Sequence, residues 1–185
     1  MFEAIKRAIE AHDTVILHRH ATPDGDALGS QIGLKHLILE NYPGKTVYTV
    51  GDAAMRYSFM ADSVMDDIPD ASYENALAII LDTSGKTLIS DGRYTLAKTT
   101  ARIDHHLFIE QIAQIEVTDS SFESCCGLVT QMALESGWRV NLPLPARIPS
   151  RIPPPEPGIP TRCSGPPGKS WWRATATGGS DPTIR

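Results

Sequence analysis

The sequence predicts an α/β fold: a mostly parallel β-sheet flanked by helices on both faces, followed by a Pro-rich irregular tail. Three observations carry this. Short apolar runs alternate with segments of helical period along residues 1–142, the pattern of strands joined by crossover helices. The clearest run, Ala76-Leu77-Ala78-Ile79-Ile80-Leu81-Asp82, is continuously apolar instead of alternating, as in a strand covered on both faces. Of 14 prolines, 11 fall in residues 143–185, where the alternation stops.

Taken in order, residues 3–12 read as an amphipathic helix and residues 14–18 as a short buried strand. A Pro/Gly/Asp loop follows, then a helix over about 27–40. Residues 45–50 give a second strand and 76–82 the strand already named. Residues 100–104 and 115–118 are further strands. Residues 123–137 form a helix of apolar spacing, ended by Gly137 just past the last turn, where a left-handed residue is favoured. Gly29 and Gly33 lie inside the second helix, where glycine costs about 1 kcal/mol relative to alanine. Close packing on the sheet, or approach of a phosphate to the helix start, would account for them.

Residues 143–185 differ in kind. The run Pro153-Pro154-Pro155 with Pro157 and Pro160 leaves no room for a helix or a central strand. This segment carries six Lys/Arg against two acids, a net of +4, which leaves −9 of the overall −5 to residues 1–142. Such a composition buries too little apolar surface to offset its ordering entropy, so an unstructured end is expected. A recruiting module is the alternative, with Pro154 and Pro157 as a P-x-x-P ligand and Trp171-Trp172 as an anchor.

A hydrophobic fraction of 41% and a charged fraction of 21% describe a globular chain. No run of about 18 apolar residues exists, so no membrane-spanning helix is expected. Glu3 and the spaced charges after it interrupt any signal-peptide core, and a cytoplasmic location follows as the default. Cys125 and Cys126 are adjacent and Cys163 stands alone, an odd count that argues for reduced thiols. The net charge of −5 argues against nucleic-acid binding through a basic surface. An anionic substrate stays open, because bound divalent cations reverse a local field.

Ligands of open parallel sheets bind beyond the carboxyl ends of the strands, and three clusters of metal-type side chains fall there. After the first strand comes His18-Arg19-His20-Ala21-Thr22-Pro23-Asp24-Gly25-Asp26-Ala27. Two carboxylates two apart on an irregular loop aim at different points, which suits two adjacent cations. Capping of the next helix explains one of the aspartates but not His20 as well. Asp82 ends the most apolar strand, where a carboxylate is costly unless paired or metal-bound. A turn cap formed with Thr83, Ser84 and Gly85 is the alternative. Asp104-His105-His106 follows Ile103, and adjacent positions send one imidazole toward a metal and the next toward substrate. Oxygen and imidazole donors without thiolates suit Mn²⁺ or Mg²⁺ better than structural zinc. Paired ions of that kind serve in-line displacement at phosphorus.

These segments resemble the motifs of the DHH phosphoesterase family. His20-Ala21-Thr22-Pro23-Asp24-Gly25-Asp26-Ala27-Leu28-Gly29-Ser30 is similar to its first motif, Asp82 with its strand to the second, and Asp104-His105-His106 to the third. The short first motif, with Ser121-Phe122-Glu123-Ser124 before a helix, looks most like the NrnA-type branch. The resemblance implies a cytoplasmic metal-dependent phosphoesterase acting on short oligoribonucleotides and on 3′-phosphoadenosine 5′-phosphate (PAP). Related members cut cyclic dinucleotides or single-stranded DNA. It also implies two Mn²⁺, with Mg²⁺ as the substitute: His20 and Asp24 on one ion, Asp26 and His105 on the other, and Asp82 bridging. His106 would face the scissile phosphate and Asp104 would orient a histidine. Monomer and homodimer are both open. The family's fourth motif, a further aspartate, and its glycine-rich C-terminal substrate domain have no counterpart here. Residues 1–142 are therefore expected to be an incomplete DHH domain with weakened hydrolysis or none. Residues 143–185 are then expected to be a tail of the kind a frameshift or misjoined reading frame leaves.

Overall fold

The computed structural model describes residues 1–140. The domain boundary expected at 142, the tail with its P-x-x-P pattern and tryptophan pair, and Cys163 lie outside the described residues.

Five strands form one sheet in the order β2-β1-β3-β4-β5: β1 (Thr14–His18), β2 (Thr46–Thr49), β3 (Leu77–Leu81), β4 (Thr99–Asp104) and β5 (Ile115–Thr118). All four pairings are parallel, with Val15 opposite both Val47 and Leu77. Three α-helices accompany them: α1 (Glu3–Ala11), α2 (Gly25–Asn41) and α3 (Cys125–Glu135). Each forms where apolar period predicts it. Helix α2 begins two residues earlier than expected because Asp24 caps it at Gly25. Gly137 takes φ +65° after α3, the left-handed end foreseen for it.

Alternation along β1 sends Val15 and Leu17 to one face of the sheet and Ile16 and His18 to the other. Leu77, Ile79, Leu81 and Ile103 join the first face, where α1, α2 and α3 cover them through Ile5, Ile9, Leu34, Ile38, Leu128 and Met132. The helices of the opposite face are 3-10 turns. Asp70–Tyr73 and Gly92–Leu96 bring Tyr73 over Ile16 and Tyr94 over Ala78 and Ile80. All five residues of β3 are buried, which is why its sequence lacks a polar alternate. At about 1.5–3 kcal/mol for each large aliphatic side chain, this strand anchors the sheet.

A Cβ on Gly29 would stand 2.9 Å from Cys126 Sγ, so the glycine lets α3 approach α2. The close contact is helix on helix, not helix on sheet. Gly33 has no atom within 4 Å of an added Cβ. None of the described helices is long and apolar enough to cross a membrane.

His18 lies fully buried between Tyr73 and Tyr94, with ring centroids 5.8 and 6.2 Å away, and its Nδ1 has no hydrogen-bond partner among the described residues. Burial lowers its pKa from 6.5 to about 4. Between those values the unfolded chain holds a proton that the folded one refuses, so stability falls as pH drops from 6.5 toward 4 and is unaffected above. Urea titrations in EDTA should show this slope, at most about 1.4 kcal/mol per pH unit, in wild type and its loss in His18→Asn. Equal slopes in both would refute the assignment.

Candidate metal centre

The order β2-β1-β3 makes the chain leave β1 in one direction and return to β3 on its other side. Crevices outside the carboxyl ends of strands at such a reversal take ligands. His20, Asp24 and Asp26 follow β1, Asp82 follows β3, and Asp104, His105 and His106 lie at and just beyond the end of β4.

Asp82 is the centre of the arrangement. Its backbone sits at φ +51°, in the left-handed region where few non-glycine residues are found. Its side chain is 2% exposed, and Oδ1 has no hydrogen-bond partner among the described residues. Thr83 Oγ1 donates to Leu81 O at 2.8 Å, so the turn is closed by Thr83 and leaves the Asp82 carboxylate uncommitted. Oδ2 lies 3.6 Å from His20 Nε2, while Oδ1 lies 3.4 Å from His105 Nε2 and 3.7 Å from His106 Nδ1. The same His20 Nε2 lies 3.9 Å from Asp24 Oδ1.

These separations are long for hydrogen bonds. They approach the ~3–3.5 Å between neighbouring donors around a divalent ion with bonds of about 2.1 Å. Two sets of three donors are each compact enough to surround one ion: His20, Asp24 and Asp82, and Asp82, His105 and His106. Asp82 belongs to both, one oxygen toward each. An orphaned, buried carboxylate oxygen between imidazoles fits a divalent cation. The absence of thiolate fits a hard or borderline one.

The two aspartates of the first loop have second commitments. Asp24 Oδ1 accepts from the backbone N–H of Asp26 and Ala27, both at 2.9 Å, and so caps α2 as well as facing the pocket. Asp26 accepts from Cys125 N at 2.7 Å and Cys126 N at 2.9 Å, which caps α3 roughly a hundred residues away. Its Oδ2 stands 3.6 Å from His105 Nε2, beside the second donor set and not within it. Asp104 is buried, and its Oδ1 is 2.7 Å from His106 Nδ1. The neighbouring Asp82 carboxylate raises the His20 pKa, against the effect of its partial burial. The pocket these residues line has a volume of about 240 Å³ and also includes Ser84 and Leu88.

Arg19 braces the loop. Fully buried, its Nε donates to Gln31 Oε1 at 3.2 Å and its Nη1 to His20 O at 3.0 Å and Asp52 Oδ1 at 2.8 Å. Asp52 also accepts from Thr22 N at 3.0 Å and Ser90 Oγ at 2.6 Å. Gln31 Nε2 in turn donates to Leu17 O at 2.7 Å and Val50 O at 3.0 Å, closing the ends of two strands. Burial of Asp52 pushes its pKa up, but bonds from Ser90, Arg19 and Thr22 prevail and bring it to about 2. Asp52→Ala leaves a buried guanidinium without its counter-ion. Because Asp52 is 42% exposed, the expected loss is at the lower end, about 2 kcal/mol by urea denaturation. A loss below about 0.5 kcal/mol would show that water replaces the carboxylate. Neither Asp52 nor Gln31 was legible as part of the site, since their partners lie on other strands. Ser84, two residues past Asp82, had a positional signal.

Residues 14–149 match the family described as "DHH family, N-terminal domain". Over 140 residues the chain is 40% identical to a Streptococcus mutans protein named "Probable bifunctional oligoribonuclease and PAP phosphatase NrnA", covering 76% of this chain and 44% of that one. It is 36% identical over 138 residues to "Bifunctional oligoribonuclease and PAP phosphatase NrnA" of Bacillus subtilis, covering 73% and 44%. The chain thus spans less than half the length of these curated relatives. The crystal structure of an exopolyphosphatase-related protein from Bacteroides fragilis matches with a TM-score of 0.62 at 21% identity. That match covers 74% of this chain and 43% of the other, a likeness of fold.

Proposed function

Because this chain belongs to the DHH family, we propose that it hydrolyses phosphoester bonds of short oligoribonucleotides and of PAP, with divalent ions held at the ends of β1, β3 and β4. The observation that carries this reading is Asp82, a buried carboxylate with one oxygen toward His20 and the other toward His105. His20 and Asp24 with Asp82 would hold one ion. Asp82 and His105, with Asp26 alongside, would hold the second. Mn²⁺ fits the mixed imidazole and carboxylate donors, and Mg²⁺ is the substitute. Such ions supply Lewis acidity and neutralise charge at phosphorus.

The chain's own groups do the positioning. Asp104 accepts from His106 Nδ1–H, which fixes the ring and leaves Nε2 free. His106, 45% exposed at the pocket, is placed to hold a phosphoryl oxygen and stabilise the charge that gathers there. Leu88 gives the pocket an apolar stretch of wall. Arg19 and Asp52 keep His20 in register.

Turnover is expected to be slow, because the second ion would share Asp82 with the first, while Asp26 is also committed to the backbone at the start of α3. The test is the full chain with Mn²⁺ against a diribonucleotide, PAP and a cyclic dinucleotide. Expected is release of mononucleotide or phosphate from the first two that stops in EDTA. No release from either, with Mn²⁺ or with Mg²⁺, overturns the proposal, and cleavage of the cyclic substrate alone would move it to that class.

A further inference from the structure

A cavity of about 320 Å³ lies in the segment 51–65, away from the residues that line the metal pocket. Its walls include Ala53, Ala54, Met55 and Met65, with the hydroxyls of Ser58 and Ser63. Ser63 is buried, and neither hydroxyl has a hydrogen-bond partner among the described residues. No charged side chain lines the cavity. Apolar walls with a few unused polar groups, at the lower end of the ~300–1,000 Å³ range of small-molecule pockets, suit one flat heteroaromatic ring. Thioethers pack well against such rings, and hydroxyls both donate to and accept from a base edge. An inorganic phosphate would find no charge to meet.

The segment is tied to the metal loop at two points. Gly51 adopts φ +138°, and a Cβ there would come within 3.2 Å of the Arg19 guanidinium. Next to it, Asp52 holds the loop that carries His20. Further along, Tyr57 Cε1 lies 3.9 Å from the position of a Cβ on Gly25, between Asp24 and Asp26. Arg56, which follows the cavity residue Met55 in the chain, lies over the Tyr57 ring at 5.9 Å and is exposed. Met55 and Phe59 stand 79% and 81% exposed around it.

We propose that this cavity takes the base of the nucleotide whose phosphoester is presented to the metal centre, so that the chain selects nucleotides over base-free phosphoesters. The proposal rests on the phosphoesterase reading above. Arg56, next to Met55 in the chain, then supplies a cation for a phosphate, and packing of the base on the Met55 thioether adds sequence-tolerant affinity.

The test is NMR of the full chain with labelled methionine methyls in Mg²⁺, titrated with adenosine. Met55 and Met65 should shift saturably while Met1 and Met132 stay still, and inorganic phosphate should leave Met55 and Met65 unmoved. Ala53→Phe, at an exposed position that fills the cavity without disturbing the core, should weaken adenosine binding tenfold or more, in line with about 1–3 kcal/mol per stacked base. Met55 and Met65 unresponsive to adenosine would overturn the proposal. So would shifts that follow protein concentration, which would place a second copy on this face. Loss of all phosphoester hydrolysis with the adenosine shifts intact would instead count against the phosphoesterase reading, so the two failures are told apart.

Discussion

Asp82→Asn is expected to lower Mn²⁺-dependent hydrolysis by a factor of about 10³ or more, roughly 4 kcal/mol of transition-state stabilisation. It should also remove the stabilisation that the proposed Mn²⁺ site predicts for the wild-type chain. Asparagine is the informative replacement because, like aspartate, it tolerates the left-handed backbone at φ +51°. Alanine there would add about 1–2 kcal/mol of backbone strain and confuse the two effects. In EDTA the variant should stay within about 1 kcal/mol of wild type, since the carboxylate it removes is buried with one oxygen unpartnered. With Mn²⁺ at a hundredfold excess over its dissociation constant, wild type should gain about 2.7 kcal/mol and the variant little. Urea titrations with and without the metal measure both, beside a rate assay. A variant stabilised by Mn²⁺ as strongly as wild type would remove Asp82 from the metal site.

Glu116→Ala is expected to cost about 3–5 kcal/mol, the range for breaking a buried ion pair. Glu116 Oε2 takes Arg102 Nη2 at 2.7 Å, with the two side chains 14% and 0% exposed. Its Oε1 accepts from the backbone N–H groups of Ile112 and Ala113. The substitution therefore leaves a buried guanidinium, whose Nε has no partner among the described residues, and frees two backbone donors. Replacing both members, Arg102→Met with Glu116→Leu, should recover a large part of the loss, because the desolvation of the ions then disappears. Denaturation midpoints of the three variants decide this. A single variant within about 1 kcal/mol of wild type would mean that water reaches Arg102. The effect should extend to the metal centre, since Arg102 Nη1 lies 3.5 Å from Thr83 O in the turn after Asp82.

Much of the frame is readable residue by residue. The unbroken apolar run of β3 reports a strand buried on both faces, and all five of its residues are buried. The motif around His20 reads as a loop because Pro23 and Gly25 break it, and that loop follows β1. Other features resist such reading. Nothing local to Arg102, a charge inside a strand, says that Glu116 waits on the next strand. Asp24 had two readings, cap and ligand, and the structure joins them, since its Oδ1 both caps α2 and faces His20. Asp26 was expected as a ligand, and its link to the start of α3 was not foreseen. The helices on the second face proved to be short 3-10 turns, which lack a periodic signature.

By itself the sequence determined the order and approximate extent of the strands and α-helices, which residues follow each strand, and the donor types they carry. These depend on neighbours a few positions apart, through apolar period, turn chemistry and capping. Only the tertiary structure decided that Asp82 directs one oxygen to His20 and the other to His105, that Asp26 ties the first loop to α3, and that the 51–65 segment lines a cavity of its own. Those outcomes depend on the order β2-β1-β3-β4 and on close packing between segments far apart in the chain. A side chain's direction in space follows from such packing, and local sequence does not encode it.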